Sequence, residues 1–202
     1  MPHKELYKHP DMLVTFPGNH DQPRLLTVAK DDIHRLMMNE AFTLTTRRVV
    51  HLYYGDEVAM IGGNDPDNRP DFQGGWAGDP IDDFTPAGRT GDAATVFNFT
   101  RELLHFRQAH TALQNGDLTE LLINQDQYAY LRTSRDEWVL VVLNRAGSAK
   151  AIPIEVDDLG MADGTHLKSF AADSPDTIVA GGKITIEQPK EIQIYWAPRA
   201  RR

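Results

Sequence analysis

Cysteine is absent from the 202 residues, so neither a disulfide nor a thiolate metal site can be built. That absence assigns no compartment, and the localisation stays unknown. No run reaches the roughly 18 apolar residues of a membrane-crossing helix, so no membrane partner is expected. Positive charge is in short supply: 21 Lys and Arg stand against 29 Asp and Glu, a net charge of -8. An acidic surface repels phosphate backbones, so nucleic acid is not expected as a partner. There is no Gly-rich phosphate loop, no Gly-x-Ser-x-Gly elbow, and no histidine pair at metal-ligand spacing on one helix face. Residues 1–5 lack an apolar segment, so no signal peptide is expected here. What remains is ordinary globular composition, 41% hydrophobic and 25% charged, which argues against disorder.

Two kinds of pattern follow one another along the chain. Residues 12–16 (Met-Leu-Val-Thr-Phe) are a short apolar run stopped by Pro17-Gly18, which predicts a strand buried on both faces. Asp31 or Asp32 reads as a helix N-cap, followed by Ile33, Leu36, Met37, Ala41 and Leu44 at helical spacing. A second strand is predicted over residues 49–54, stopped at Gly55. Strand, helix, strand is a unit of a parallel sheet. A loop rich in Gly, Pro, Asp and Asn runs from about Gly62 to Gly91, and a helix then carries Val96, Phe99, Leu103, Phe106 and Ala109 on one side. From Leu118 onward eight short strands are predicted: 118–123, 127–133, 137–144, 150–156, 166–170, 176–180, 183–187 and 191–196. Strands at such short intervals predict a β-sandwich. The fold class is therefore α/β plus all-β, with the domains at 1–113 and 114–202.

The first domain is incomplete as read. Two parallel strands and two helices cannot cover both faces of a parallel sheet. A closed (β/α)8 barrel takes about 250 residues, more than twice what this region offers. Either the chain is a fragment or partner chains cover the open edges.

Three segments carry polar chemistry where parallel strands end, which is where ligand groups collect in such sheets. Asn19-His20-Asp21 can hydrogen-bond hydroxyls and place a carboxylate beside developing positive charge; a polar turn with local backbone bonds is the bland alternative. Tyr53-Tyr54-Gly55-Asp56-Glu57 ends the next strand; its alternative is aromatic packing over an acidic turn. In the long loop, Phe72 and Trp76 are flat faces suited to stacking on sugar rings, or else plugs that hold the loop down. Asn64, Asp65, Asp67 and Asn68 could offer oxygens to Ca2+, but the spacing lacks the full cation-loop signature, which favours a solvated turn. No other cofactor is expected.

Together these segments resemble the α-amylase family of glycoside hydrolases, in cyclomaltodextrinase- and neopullulanase-like form and in its C-terminal portion only. Phe16 to Asp21 is similar to the seventh-strand motif, with Gln22-Pro23-Arg24 in its neighbourhood. Tyr53 to Glu57 is similar to the eighth-strand motif, and Asn68 to Trp76 to the loop after it. Leu103 to Arg107 with Ala112 to Gly116 resembles the junction to the C-terminal β domain, and Val139 to Asn144 a strand of that domain. The likeness covers most of the chain, more weakly beyond about Asp157.

The resemblance implies the last βα units of a TIM barrel followed by a β-sandwich. It implies retaining chemistry on α-glucosidic bonds of starch-type oligosaccharides. Asp21 would be the transition-state-stabilising carboxylate, with His20, Arg24, Tyr54 and Trp76 binding the sugar. Retaining chemistry also needs a nucleophile and a general acid about 5 Å apart. The family carries them on the fourth and fifth barrel strands, and no Gly-x-Arg-x-Asp segment occurs in these residues. The isolated chain is therefore expected to be inactive, its partners being an α-glucan and either the remaining part of the barrel or a second copy. A non-catalytic carbohydrate-binding or assembly module is the competing reading.

Overall fold

A computed structural model of the chain describes residues 6–9, 12–46, 48–146 and 150–199. The chain divides into two compact units, Met1–His105 and Phe106–Arg202.

The first unit is built from helices and long connections. After the single-turn α1 (Leu25–Val28), α2 spans Ile33–Thr46. Asp32 starts it: its Oδ1 accepts the N–H groups of His34 at 3.0 Å and Arg35 at 3.3 Å, satisfying two donors that a helix end otherwise orphans. Leu36, Met37, Ala41 and Leu44 form the buried stripe of α2, as their spacing predicts. The third helix, α3, spans Gly91–Ala109 and buries Val96 and Leu103.

The two predicted parallel strands are reduced to one parallel bridge, Thr15 to Val50. Their order and direction are as the pattern predicts, but the ladder is not. Parallel strands draw hydrogen bonds from neighbours on both edges, and here each segment has one neighbour among the described residues. Val14 and Phe16 accordingly stay about half exposed. No barrel is formed among the described residues of this unit. The second segment ends at Gly55, whose φ of +86° turns the chain into a one-turn 3-10 helix, Asp56–Val58. That positive φ favours glycine, and a Cβ there would also displace the Met60 side chain, whose sulfur would lie 2.1 Å away.

In the second unit, α4 (Thr111–Asn115) leads into eight strands: β1 Asp117–Ile123, β2 Gln127–Thr133, β3 Glu137–Asn144, β4 Ile152–Glu155, β5 His166–Ser169, β6 Thr177–Ala180, β7 Lys183–Ile186 and β8 Ile192–Pro198. Each lies within two residues of its predicted bounds. All pairings are antiparallel, and they run without a break through one sheet in the order β1-β2-β3-β8-β5-β6-β7-β4. This differs from a sandwich of two separately paired sheets. β8 pairs with β3 over seven positions but with β5 over only two, Lys168 with Trp196 and Ser169 with Tyr195. The narrow second seam lets the sheet roll, so that its edge strands β1 and β4 approach each other. One core results, with Leu131, Leu140 and Val142 from one half meeting Ile154, Leu167, Val179 and Ile184 from the other.

The division at His105/Phe106 precedes the change of character that the sequence shows near residue 113. The last turns of α3 pack within the second unit. Phe106 meets Phe170 edge-on at 5.0 Å, and His110 lies between Phe106 at 4.0 Å and Trp196 at 4.8 Å. Glu137 fixes this corner. Its Oε2 contacts His110 Nδ1 at 2.7 Å, while Oε1 accepts from the Ala112 N–H at 2.9 Å and the Thr111 hydroxyl at 3.2 Å. The carboxylate thus satisfies the open N-terminus of α4 from outside the helix. Glu137→Ala removes these contacts and leaves their donors without a partner. It is expected to lower the stability of this unit by about 2–3 kcal/mol, read by denaturant titration of Trp138 and Trp196 fluorescence.

Candidate substrate-binding site

The polar segment after the first bridge residue is held from behind by the long loop. Asn68 is fully buried and donates both Nδ2 hydrogens, one to the His20 carbonyl at 2.8 Å and one to the Gln22 carbonyl at 2.9 Å. Arg69 adds an Nε bond to the same His20 carbonyl at 2.8 Å. Asn19 closes the turn locally, its Oδ1 accepting the Asp21 N–H at 2.9 Å. The backbone of 19–22 is therefore fixed at three carbonyl or amide groups, while the head groups above it are exposed.

Those head groups are His20 and Asp21, which the structure brings together at the surface. His20 Nε2 lies 3.3 Å from Asp21 Oδ1, and the side chains are 62% and 66% exposed. Arg69 joins them: its Nη2 is 3.5 Å from the same Asp21 oxygen, and its Nε is 2.9 Å from Asp65 Oδ1. Arg69 and Asn68 stand within the motif that carries the resemblance; the sequence offers Asn68 only as an oxygen for a cation and marks no role for Arg69. Asp65 and Arg69 at i, i+4 were the available signal for the ion pair. Nothing in the local sequence marks Asn68 as a clamp, because its partners are carbonyls 46 and 48 residues away.

Arg24 stands elsewhere. It is 1% exposed, its guanidinium lying over the rings of Tyr53 at 4.3 Å and Tyr54 at 4.5 Å. It donates to the Tyr54 carbonyl and pairs with buried Asp56 at 3.7 Å. Its own N–H reaches the Gly62 carbonyl at 3.0 Å. Gly62 has no room for a side chain, since a Cβ would lie 2.5 Å from the Asp67 carbonyl. Arg24 thus ties together three segments, 24, 53–56 and 62. Tyr54 is locked by that cation on its ring and by its hydroxyl, which donates to the Pro70 carbonyl at 2.8 Å. Glu57 lines a cavity of about 550 Å³ together with Tyr54, Leu52, Phe97 and Leu104.

Trp76 stands 83% exposed, its backbone N–H donating to Asp79 Oδ2 at 3.1 Å. Phe72 packs instead on Phe84, with centroids 4.7 Å apart, and so anchors the loop. Of the oxygens that could suit a cation, those of Asp65 and Asp67 are engaged internally, by Arg69 and by the Gly63 N–H. Among the described residues no group of three or more His, Asp or Glu is placed to hold a metal ion.

With this geometry in hand, the comparisons with known proteins decide the family. Residues 3–81 match the family described as alpha amylase, catalytic domain. Residues 3–81 belong to the α-amylase family. A cyclomaltodextrinase of Geobacillus thermopakistaniensis is 32% identical over 145 residues, 71% of this chain and 22% of the relative. A cyclomaltodextrin glucanotransferase of Niallia circulans is 34% identical over 141 residues, 68% of this chain and 17% of the relative. The chain thus spans about a fifth of the length of these curated relatives. An α-amylase from Anoxybacillus superposes with a TM-score of 0.77 over 98% of this chain and 41% of that one, at 24% identity, a likeness of fold alone.

Behind the site, this α-amylase-family segment buries two carboxylates. Glu40, on α2, is fully buried and accepts the Thr100 hydroxyl at 2.5 Å. Burial pushes its carboxyl up to about 8, with Asp56 and Glu57 adding to the rise. Burial likewise raises Asp56 to about 7, against the opposing pull of Arg24. Between the ordinary carboxylate range and these values the folded chain holds protons that the unfolded chain has released, so stability falls as pH rises from about 5 to 8. Glu40→Gln keeps the shape and the Thr100 contact. It is expected to flatten much of that decline, leaving the part due to Asp56, and to be more stable than the parent at pH 8. Thermal unfolding of both proteins across this pH range checks it.

Proposed function

We propose that the chain is part of a retaining glycosidase or transglycosylase acting on α-glucosidic bonds of starch-type oligosaccharides. Asp21 is the carboxylate that stabilises the oxocarbenium-like transition state, and His20 hydrogen-bonds the same sugar. The observation that carries this is the His20–Asp21 pair itself, exposed at its head groups and clamped at its backbone by Asn68 and Arg69. Rigid placement of a charge where opposite charge develops is what electrostatic catalysis requires. The family match and the relatives' names, cyclomaltodextrinase and cyclomaltodextrin glucanotransferase, supply the substrate class.

In this reading residues 12–16 and 49–54 are neighbouring strands of a barrel, and the parallel Thr15–Val50 bridge supports that placement. Arg24 serves by position, holding the 53–56 turn and the start of the 62–79 loop. Trp76, bare at the loop tip, is a stacking face for a more distant sugar ring. The nucleophile and general acid come from outside these residues, either from the rest of the barrel or from a second chain.

The pure chain is therefore expected to show no turnover of maltooligosaccharides or cyclomaltodextrins. In a polypeptide or mixture that supplies the missing carboxylates, Asp21→Asn is expected to lower kcat by about 10³-fold without loss of folding. Near-normal turnover by that variant would remove Asp21 from the chemistry. Glycan binding with no turnover in any complemented mixture would favour the non-catalytic binding or assembly module.

A further inference from the structure

The second unit has a cavity of its own. It measures about 630 Å³, a size suited to a ligand of a few rings, and it is lined by residues of β5, β6, β7 and β8. Two faces meet in it. Leu167, Val179 and Ile184 point into the core, so their neighbours His166, Ile178 and Thr185 line it from the opposite face, while Ile186 and Tyr195 line it from the core itself.

At the cavity's inner end lies Tyr195, 2% exposed. Its hydroxyl oxygen accepts from Gln193 Nε2 at 3.0 Å. Gln193, 5% exposed, is itself held, its Nε2 also reaching the Gln188 carbonyl at 3.3 Å and its Oε1 accepting the Lys190 N–H at 3.1 Å. The orientation of the Tyr195 oxygen is therefore set, while its own O–H hydrogen has no acceptor among the described residues. Burial and the nearby Asp176 push the phenol upward, so the group stays a donor. A buried donor without an acceptor is costly unless something in the cavity accepts from it.

The rest of the lining selects the kind of acceptor. Asp176 and Glu187 oppose an anion, and Lys183 does little to offset them because its Nζ is already paired with Glu155 at 2.7 Å. Asp176 uses Oδ1 on the Ser169 N–H at 2.8 Å, which leaves Oδ2 as an acceptor for a ligand hydroxyl. Ile178, 43% exposed, adds an apolar patch. A hydroxyl donor and carboxylate acceptors beside an apolar side chain match a molecule with hydroxyls at its rim and C–H groups on its face.

We infer that this cavity is a binding site for an uncharged saccharide, in which the Tyr195 hydroxyl donates to a sugar oxygen and Ile178 packs on the ring. It is independent of the His20–Asp21 site and needs no catalytic group.

The test is titration of the whole chain with maltotriose and, separately, with the charged trisaccharide trigalacturonate, followed by backbone amide NMR. Maltotriose is expected to shift the amides of His166, Ile178, Thr185 and Tyr195, and trigalacturonate to leave them in place. Tyr195→Phe keeps the ring and is expected to weaken binding about five- to tenfold, the loss of one hydrogen bond. Ile178→Asp, at an exposed position, is expected to abolish it, which keeps the test valid if the Tyr195 variant misfolds. No shift at these four amides overturns the proposal, as does binding that neither variant weakens or an equal response to trigalacturonate. Shifts confined to His20, Asp21 and Arg69 also overturn it, while supporting the separate reading of that site.

Discussion

The architecture around the candidate site depends on one buried cation. Arg24 follows the exposed pair by only three residues, yet its guanidinium lies in the interior, over Tyr53 and Tyr54 and beside Asp56. A buried charge is tolerated only when it is paired, and removing one partner of such a pair typically costs about 3–5 kcal/mol. The turn at 53–56, the start of the long loop at Gly62 and the segment ending at Arg24 must therefore keep one relative arrangement. The left-handed turn at Gly55 follows from it, because the Tyr54 carbonyl has to face the guanidinium while Asp56 comes round to the same side. Glu40 and Asp56 rise in pKa because both are buried, and Arg24 opposes the rise at Asp56, which it faces.

How much of this was legible in the sequence depends on the range of the interactions. The eight strands of the second unit were legible because each is set by local facts: alternating apolar residues and turns such as Gly181-Gly182, both with positive φ. The order of those strands was not, since the placement of β8 between β3 and β5 rests on contacts between distant parts of the chain. The predicted sandwich became one rolled sheet for a reason no periodicity carries, the two-position seam between β5 and β8. In the first unit the N-cap at Asp32 and the stripe on α2 were readable, because capping and helical spacing act within a few residues.

The site was legible in part. His20 and Asp21 were visible as polar groups past the end of an apolar run, and the structure places them side by side. The resemblance implies that Arg24 binds the sugar, whereas the structure buries it, and the aromatic shell that makes burial tolerable lies about 30 residues further on. Asn68 reads from its loop as a candidate oxygen for Ca2+, because an asparagine there ordinarily acts locally, whereas its amide spans two segments. Asn68, the less legible, holds the most legible pair in place through the pair's backbone.

The division of labour between them suits the chemistry proposed. The clamp acts on carbonyls of the backbone, not on the carboxylate of Asp21. The contacts to that carboxylate are long, 3.3 Å from His20 and 3.5 Å from Arg69, and they lie in solvent, where ion pairs are weak. Its position is thus fixed while most of its field remains uncompensated. A short, buried, bidentate arginine would have given the same rigidity and would have neutralised the charge. Arg69 avoids this by spending its better geometry on Asp65 at 2.9 Å and on the His20 carbonyl at 2.8 Å. A carboxylate held by its backbone and left unmatched at its head is suited to meet a positive charge that appears only as a glycosidic bond breaks.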